Sequence, residues 1–229
     1  MMSKLRQLFY LACILTILVG ASALFEREVS YYSLPSRSEP SFYTAFASQS
    51  VEPAVSMFAN KGLIGDCVYG MMSLNVELRS EAENLAFANT CNDLADRIIA
   101  QAPTSGYAWY MKMVSAARRN DRVEFNRSYM ISHEVAPNEQ WVAEYRVNLT
   151  ADHFSMVDPQ TQTVFDRDIA MLVSSSRGIK AIAKRYIESD QFRERITNIV
   201  DSLSEQRQQF FVNRVKQTLL DQQQESQDN

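Results

Sequence analysis

Residues 102–141 read APTSGYAWYMKMVSAARRNDRVEFNRSYMISHEVAPNEQW, and this stretch sets the architecture of the chain. Two Ala-Pro pairs put Pro103 and Pro137 34 positions apart, and the only two tryptophans, Trp109 and Trp141, follow them closely. Proline lacks the N–H that a helix interior needs, and it pushes the residue before it out of the helical region. Each pair therefore closes a helix, and the residues between must hold two helices and a turn. The polar RRND, Arg118 to Asp121, is where that turn falls.

This pattern resembles the tetratricopeptide repeat, a helix-turn-helix unit of about 34 residues that ends on proline. With Pro103 closing one unit, Trp109 stands at the usual Trp place of the next, Ala116 at a small-residue place and Tyr129 at the large aromatic place. Pro137 closes the unit. The resemblance implies that Trp109, Ala116, Tyr129 and Pro137 form a repeat core. The fit is partial: Lys112 takes a Leu place, Met113 a Gly/Ala place and Phe125 a small-residue place, and the turn has no Gly. The preceding unit, 72–101, matches mainly through Cys91, Ala95 and Ile98. Two packed helical hairpins with coincident prolines are the alternative.

The rest of the chain agrees with an all-α fold. Six Gly and six Pro in 229 residues leave little material for tight β-turns, and 46% apolar against 22% charged residues is an ordinary globular balance. Ser80 followed by Glu83 is a capping-box signature, and Leu85, Ala88, Leu94 and Ile98 supply an apolar side behind it. Upstream, Phe42 to Phe58 predicts a helix or a pair broken near Pro53, ended by Gly62 and Gly65. Downstream, Asn138 is the expected cap of the next helix. Phe165, Ile169 and Leu172, then Ile182, Ile196 and Leu203, then Phe211, Val215 and Leu219 keep helical spacing. We divide the chain into residues 1–25 (signal anchor or signal peptide), 26–41 (linker), 42–150 (repeat-like helices), 151–220 (C-terminal helices) and 221–229 (disordered tail).

At the N-terminus, Lys4 and Arg6 precede the uncharged run LFYLACILTILVGASALF, Leu8 to Phe25. About 18 apolar residues just span a bilayer, and basic residues on the near side keep that end cytoplasmic. The same residues fit a signal peptide cut at Ala21-Ser22-Ala23. We read an inner-membrane anchor through residues 8–25 with the remainder in the periplasm, or export after cleavage near Ala23. In such a compartment Cys67 and Cys91 form an even pair 24 residues apart, able to staple adjacent helices. Two buried thiols are the alternative.

No catalytic constellation stands out. His133-Glu134 begins like a zinc motif, but its fifth place is Pro137, and His153 lies 20 residues further on. Asp158, Asp166 and Asp168 read as the solvated start of a helix. The net charge of −4 gives no basis for binding nucleic acid, and no cofactor or metal is expected. Lys180, Lys184 and Arg185 form a basic helix face with acidic residues interleaved, a candidate binding surface or a solvated one. Tyr107, Trp109 and Tyr110 are a candidate sugar-stacking surface.

The anchor, APTSGYAWYMKMVSAARRND, APNEQWVAEYRVNL and IAKRYIESDQFRERITNIV, in that order, look like small helical proteins that accompany exopolysaccharide synthesis in Gram-negative bacteria. The resemblance covers roughly residues 93–219. It implies a non-enzymatic scaffold with protein partners in envelope polysaccharide assembly and no small-molecule cofactor. The alternatives are a membrane protein whose exported domain mediates oligomerisation, and an enzyme with a dispersed site around His133, Asp152 and His153.

Overall fold

The apolar run that opens the chain folds as a helix that does not stop where the apolar residues stop. In the computed structural model, which describes residues 2–39, 41–48 and 51–225, α1 spans Met2–Tyr32. It is long and apolar enough to cross a membrane or to act as a signal. Its apolar side chains, such as Leu15 and Phe25, face outward. Residues 26–32, expected as a linker, continue α1 because its last turns have a packing partner. Arg27 donates to the Pro53 carbonyl, and the Glu28 carboxylate accepts from the Val55 and Ser56 amides and the Ser56 hydroxyl.

All described residues are helical or irregular, with no strand, and they form two compact units, Met1–Pro103 and Thr104–Asn229. In the first unit, α2 (Ser41–Ala47) precedes an irregular stretch around Pro53, and then come α3 (Met57–Met72) and α4 (Glu81–Gln101). Phe42, Phe46 and Phe87 cluster at its centre, with centroids 5.2–6.4 Å apart. Gly62 and Gly65 do not end a helix as anticipated; both lie inside α3. Gly62 is needed for approach instead, since a Cβ there would sit 2.1 Å from the Tyr31 hydroxyl of α1. The Ser80/Glu83 capping box starts α4, and Cys67 of α3 is disulfide-bonded to Cys91 of α4.

The second unit opens with the hairpin of α5 (Gly106–Arg118) and α6 (Arg122–Val135). Ser105 and Asp121 cap the two helices through side-chain oxygens. Asn120 takes the positive φ of 54° that the turn requires, in place of the missing glycine. The two Ala-Pro pairs act alike: Ala102 ends α4 at φ −141° and Ala136 ends α6 at φ −138°, each donating to the carbonyl four residues back. α7 (Gln140–Asp152) has Glu139, not Asn138, at its cap position, and no side chain caps it. α8 (Pro159–Val173) is capped by Asp158 with Pro159 in its first turn. α9 (Gly178–Glu188), α10 (Asp190–Asp201) and α11 (Glu205–Glu225) complete the unit. The expected tail therefore begins as helix, and residues 226–229 lie outside the described residues.

Ala116 and Tyr129 are wholly buried, whereas Pro137 is exposed just past the end of α6. Trp109 is half-buried, with the Arg127 guanidinium 5.8 Å from its ring. Tyr110, about 100° further round the helix, is the aromatic residue that fills the core. The repeat-like region expected over 42–150 spans a division, since the compact units part after Pro103.

The disulfide closes a loop of 24 residues, for which chain entropy gives about 3 kcal/mol of stabilisation. Replacing Cys67 and Cys91 together by Ser is expected to speed amide exchange across 57–101 while leaving 106–173 as in the wild type. Hydrogen-exchange mass spectrometry of the full chain in detergent checks this. Unchanged exchange over α3 and α4 would show that the bridge does not stabilise this unit.

Candidate functional site

Core positions on three helices of the second unit carry charge and hydroxyls instead of hydrocarbon. On α7, Val142, Arg146, Leu149 and Thr150 share the inward stripe, and on α8, Val164, Phe165, Asp168 and Leu172 do the same. Arg146 and Asp168 are both 0% exposed. They meet as a two-pronged pair, Nε to Oδ2 at 2.8 Å and Nη2 to Oδ1 at 2.9 Å. From α6, the Tyr129 hydroxyl donates to Oδ2 at 2.7 Å, and His133 Nδ1 lies 2.9 Å from Oδ1. The remaining guanidinium nitrogen reaches the Ser132 carbonyl at 3.2 Å, and the Ser132 hydroxyl donates to the Gly106 carbonyl at 2.8 Å. A Cβ on Gly106 would come within 2.4 Å of the Ala136 Cβ, so glycine permits the close crossing that this bond spans.

Every member of the cluster has a partner, the condition under which buried polar groups are tolerated. Burial alone would raise the Asp168 carboxyl, but hydrogen bonds from His133, Arg146 and Tyr129 and the guanidinium charge outweigh it and hold it below the usual carboxylate range. The same burial, with the Asp168 charge beside it, pushes the Tyr129 phenol well above its ordinary value. Asp168 is thus an ionised core residue and not part of a solvated helix start; Asp166, two positions earlier, pairs with Arg195 at 2.6 Å near the surface. Both charges were readable as departures from the apolar stripe: Arg146 is four residues from Val142 and Asp168 four from Val164.

Imidazole oriented by a buried carboxylate is one half of an acyl-transfer dyad, and the His133 side chain is 23% exposed. Among the described residues, however, no nucleophilic side chain is hydrogen-bonded to it. His153 belongs elsewhere: it packs against the Phe125 ring, and burial followed by the Arg118 charge pushes it below its usual value. Asp152 is tied to Arg185 at 2.8 Å. The three residues of the dispersed-site alternative thus have separate partners. Among the described residues no group of acidic, His or Cys side chains is placed to hold a metal.

The outward side of α7 carries a different set of groups. Trp141 and Tyr145 are one turn apart and contact each other edge-on at 6.0 Å. Tyr107 of α5 meets Trp141 at 4.9 Å and stacks on Tyr145 at 5.9 Å, with Tyr110 stacked beneath at 5.4 Å from Tyr145. The aromatic group is therefore Tyr107, Tyr110, Trp141 and Tyr145; Trp109 points to Arg127 on α6. Next to Tyr145 along α7, Glu144 and Asn148 form one wall of a cleft of about 370 Å³ whose other wall is Ala181, Lys184, Arg185 and Glu188 of α9. Arg185 is held there by Asp152 and Asn148, and Lys184 lies 3.8 Å from Glu188. Lys180 is exposed on α9 and is not among the cleft residues. Lys184 and Arg185 are therefore parts of a mixed-charge cleft, not of a bare cationic face.

Comparison with protein-family models, with curated proteins and with solved structures returns no match.

Asp168→Asn would leave the Arg146 guanidinium buried without its counter-charge, a change that costs about 3–5 kcal/mol. Because the folded carboxyl titrates below the unfolded one, the pair's stabilisation is complete above the unfolded value of about 3.9. It is lost as pH falls from there through the lowered folded value. Thermal melts at neutral pH should show a large drop for Asp168→Asn, and the variant should lack the wild type's extra loss on acidification. A variant melting like the wild type would remove the cluster from the core's stability.

Proposed function

We propose that this chain is a single-pass inner-membrane protein whose helical units lie in the periplasm. There it acts as a non-enzymatic binding and scaffold protein in exopolysaccharide synthesis or export, working with protein partners of that assembly system. The outward side of α7 supports the reading. Sugar rings offer apolar C–H faces to aromatic side chains and hydroxyls to carboxylates, amides and cations. Tyr145, 42% exposed and backed by Tyr107 and Tyr110, supplies the first kind of contact. Glu144, Asn148, Lys184 and Arg185 supply the second within one helical turn. Clefts that combine apolar area with a few fixed polar groups are the usual form of small-ligand sites.

The mixed charge of the cleft favours a hydroxyl-rich, weakly charged polymer segment over a densely anionic one, since Glu144 and Glu188 would repel the latter. The export side of the proposal is supported by α1, by the basic residues that precede its apolar run and by the Cys67–Cys91 bridge, a bond kept in oxidising compartments.

Two measurements bear on this. Alkaline phosphatase fused after Asn229 is expected to be active, and an inactive fusion with an active cytoplasmic reporter at the same place would overturn the topology. Full-length chain in detergent is expected to retain the polysaccharide secreted by its own host in an affinity-electrophoresis gel. Tyr145→Ala and Lys184→Ala should each lower that retention about tenfold, equivalent to roughly 1.4 kcal/mol, while melting within a few degrees of the wild type. Retention unchanged in both variants would take the binding role away from this cleft.

A further inference from the structure

The first unit carries a second apolar feature beside α1. Val55, Met57 and Phe58 stand at the start of α3 and are 48%, 41% and 75% exposed. They belong to a firmly held corner. Asn60 brackets the preceding segment, accepting from the Ala54 amide at 2.9 Å and donating to the Ala54 carbonyl at 3.1 Å. Ser56 caps α3, and its own amide and hydroxyl are bound by Glu28 of α1. Three apolar side chains are thus presented outward beside a segment whose Ala54, Val55 and Ser56 amides are all bonded.

The direction of packing fixes which end of the unit this corner occupies. Arg27 pairs with Pro53, Glu28 with Ser56, and Tyr31 with Gly62. Both partners advance together, so α3 runs parallel to the last turns of α1 and its N-terminus points back toward the apolar run. Phe25, the last residue of that run, precedes Glu28 by three positions, which is about 4.5 Å along a helix. The corner therefore sits at the level where α1 would leave the hydrocarbon. The far end of α3 lies about 24 Å away, and beyond it Leu74 and Leu78 are more exposed still.

We propose that Val55, Met57 and Phe58 form a second membrane contact, dipping into the headgroup region beside α1 and fixing the first unit against the bilayer. This rests on α1 being an uncleaved anchor. Lipid is the occupant because the patch is continuous with the surface of α1 and lies at its exit level. Aromatic and aliphatic side chains beside a spanning helix partition favourably into that layer. Lys61, exposed one turn beyond Phe58, is placed where a lysine meets headgroup phosphates.

An environment-sensitive nitrobenzoxadiazole probe tests this in the full chain, reconstituted into phosphatidylcholine–phosphatidylglycerol vesicles. Cys67 and Cys91 are bridged, so in a Cys13→Ala background only an introduced thiol reacts. Phe58→Cys should give blue-shifted emission quenched most by lipids with a nitroxide near the headgroup. Leu78→Cys should emit as in buffer. Probe on the native Cys13 should be quenched most by a nitroxide deep in the chains. Water-like emission at position 58 with Cys13 still quenched overturns the membrane contact and leaves the anchor standing. Water-like emission at both positions overturns the anchor itself. Blue-shifted emission at 58 that no lipid nitroxide quenches, and that reverts on diluting protein in the bilayer, assigns the patch to a second copy of the chain and overturns the lipid proposal.

Discussion

A guanidinium and a carboxylate without any solvent exposure, Arg146 and Asp168, hold three helices of the second unit in one arrangement. The pair alone would be a poor source of stability, because removing both charges from water costs about as much as their attraction returns. Its effect comes from the rest of the cluster. Tyr129 and His133 approach the same carboxylate from α6, and Ser132 joins the guanidinium to the backbone of α5. A shift of α7 or α8 along its axis by one turn would leave a buried charge unpaired, and a shift of α6 would take two hydrogen bonds from the carboxylate. Apolar side chains can trade places within a core at modest cost, but this cluster cannot, so register is where its influence falls.

Fixed register matters for what the outward surface does. Arg146 points inward from α7, so Tyr145 and Asn148, on either side of it in sequence, are turned toward the other side of the helix. The depth at which Arg146 is bound sets where those outward groups stand relative to α9. Arg185 then ties α9 back to Asp152 and Asn148 at the same helix. The cleft walls are consequently held by ion pairs and hydrogen bonds on both sides, with little freedom to close or widen. Binding in such a place would lose little entropy of ordering, which agrees with the binding role proposed for it.

Most local signals were legible in the sequence, the Asn138 cap excepted, and most contact-dependent ones were not. The capping box at Ser80, the helix stops at the two Ala-Pro pairs and the turn at Arg118 to Asp121 depend on neighbours within a few residues, and each appears where the sequence placed it. Gly62 and Gly65 looked like breaks because a helix former is expected where nothing crowds the backbone. Only the Tyr31 ring of α1, thirty-one positions away, explains why Gly62 is tolerated in the middle of α3. The segment after Phe25 looked like a linker because its composition is polar, yet those polar groups are the ones that bind α3. Trp109 shows the limit of a repeat template. The pattern placed a large aromatic at the right helix, but rotation by one residue gave the core position to Tyr110 and left Trp109 half-covered.

The docking of α1 on α3 has a mechanical consequence. A membrane segment joined to its domain by a loose linker leaves the domain free to tumble. Here the helix that is apolar enough to cross enters the fold without a break, and its last turns are bonded to the N-cap of α3 by the Glu28 carboxylate and to the stretch before α3 by the Arg27 guanidinium. The negative charge of Glu28 lies against the positive end of the α3 dipole, an attraction that adds to the hydrogen bonds it makes. Pulling α3 and the stretch before it away from α1 would expose those amides and the carboxylate together. It would also withdraw the Tyr31 ring from the notch left by Gly62. The junction therefore fixes the orientation of the first unit to α1 at the cost of conformational freedom. That is a property the proposed scaffold role requires, and a freely diffusing binding domain would not need it.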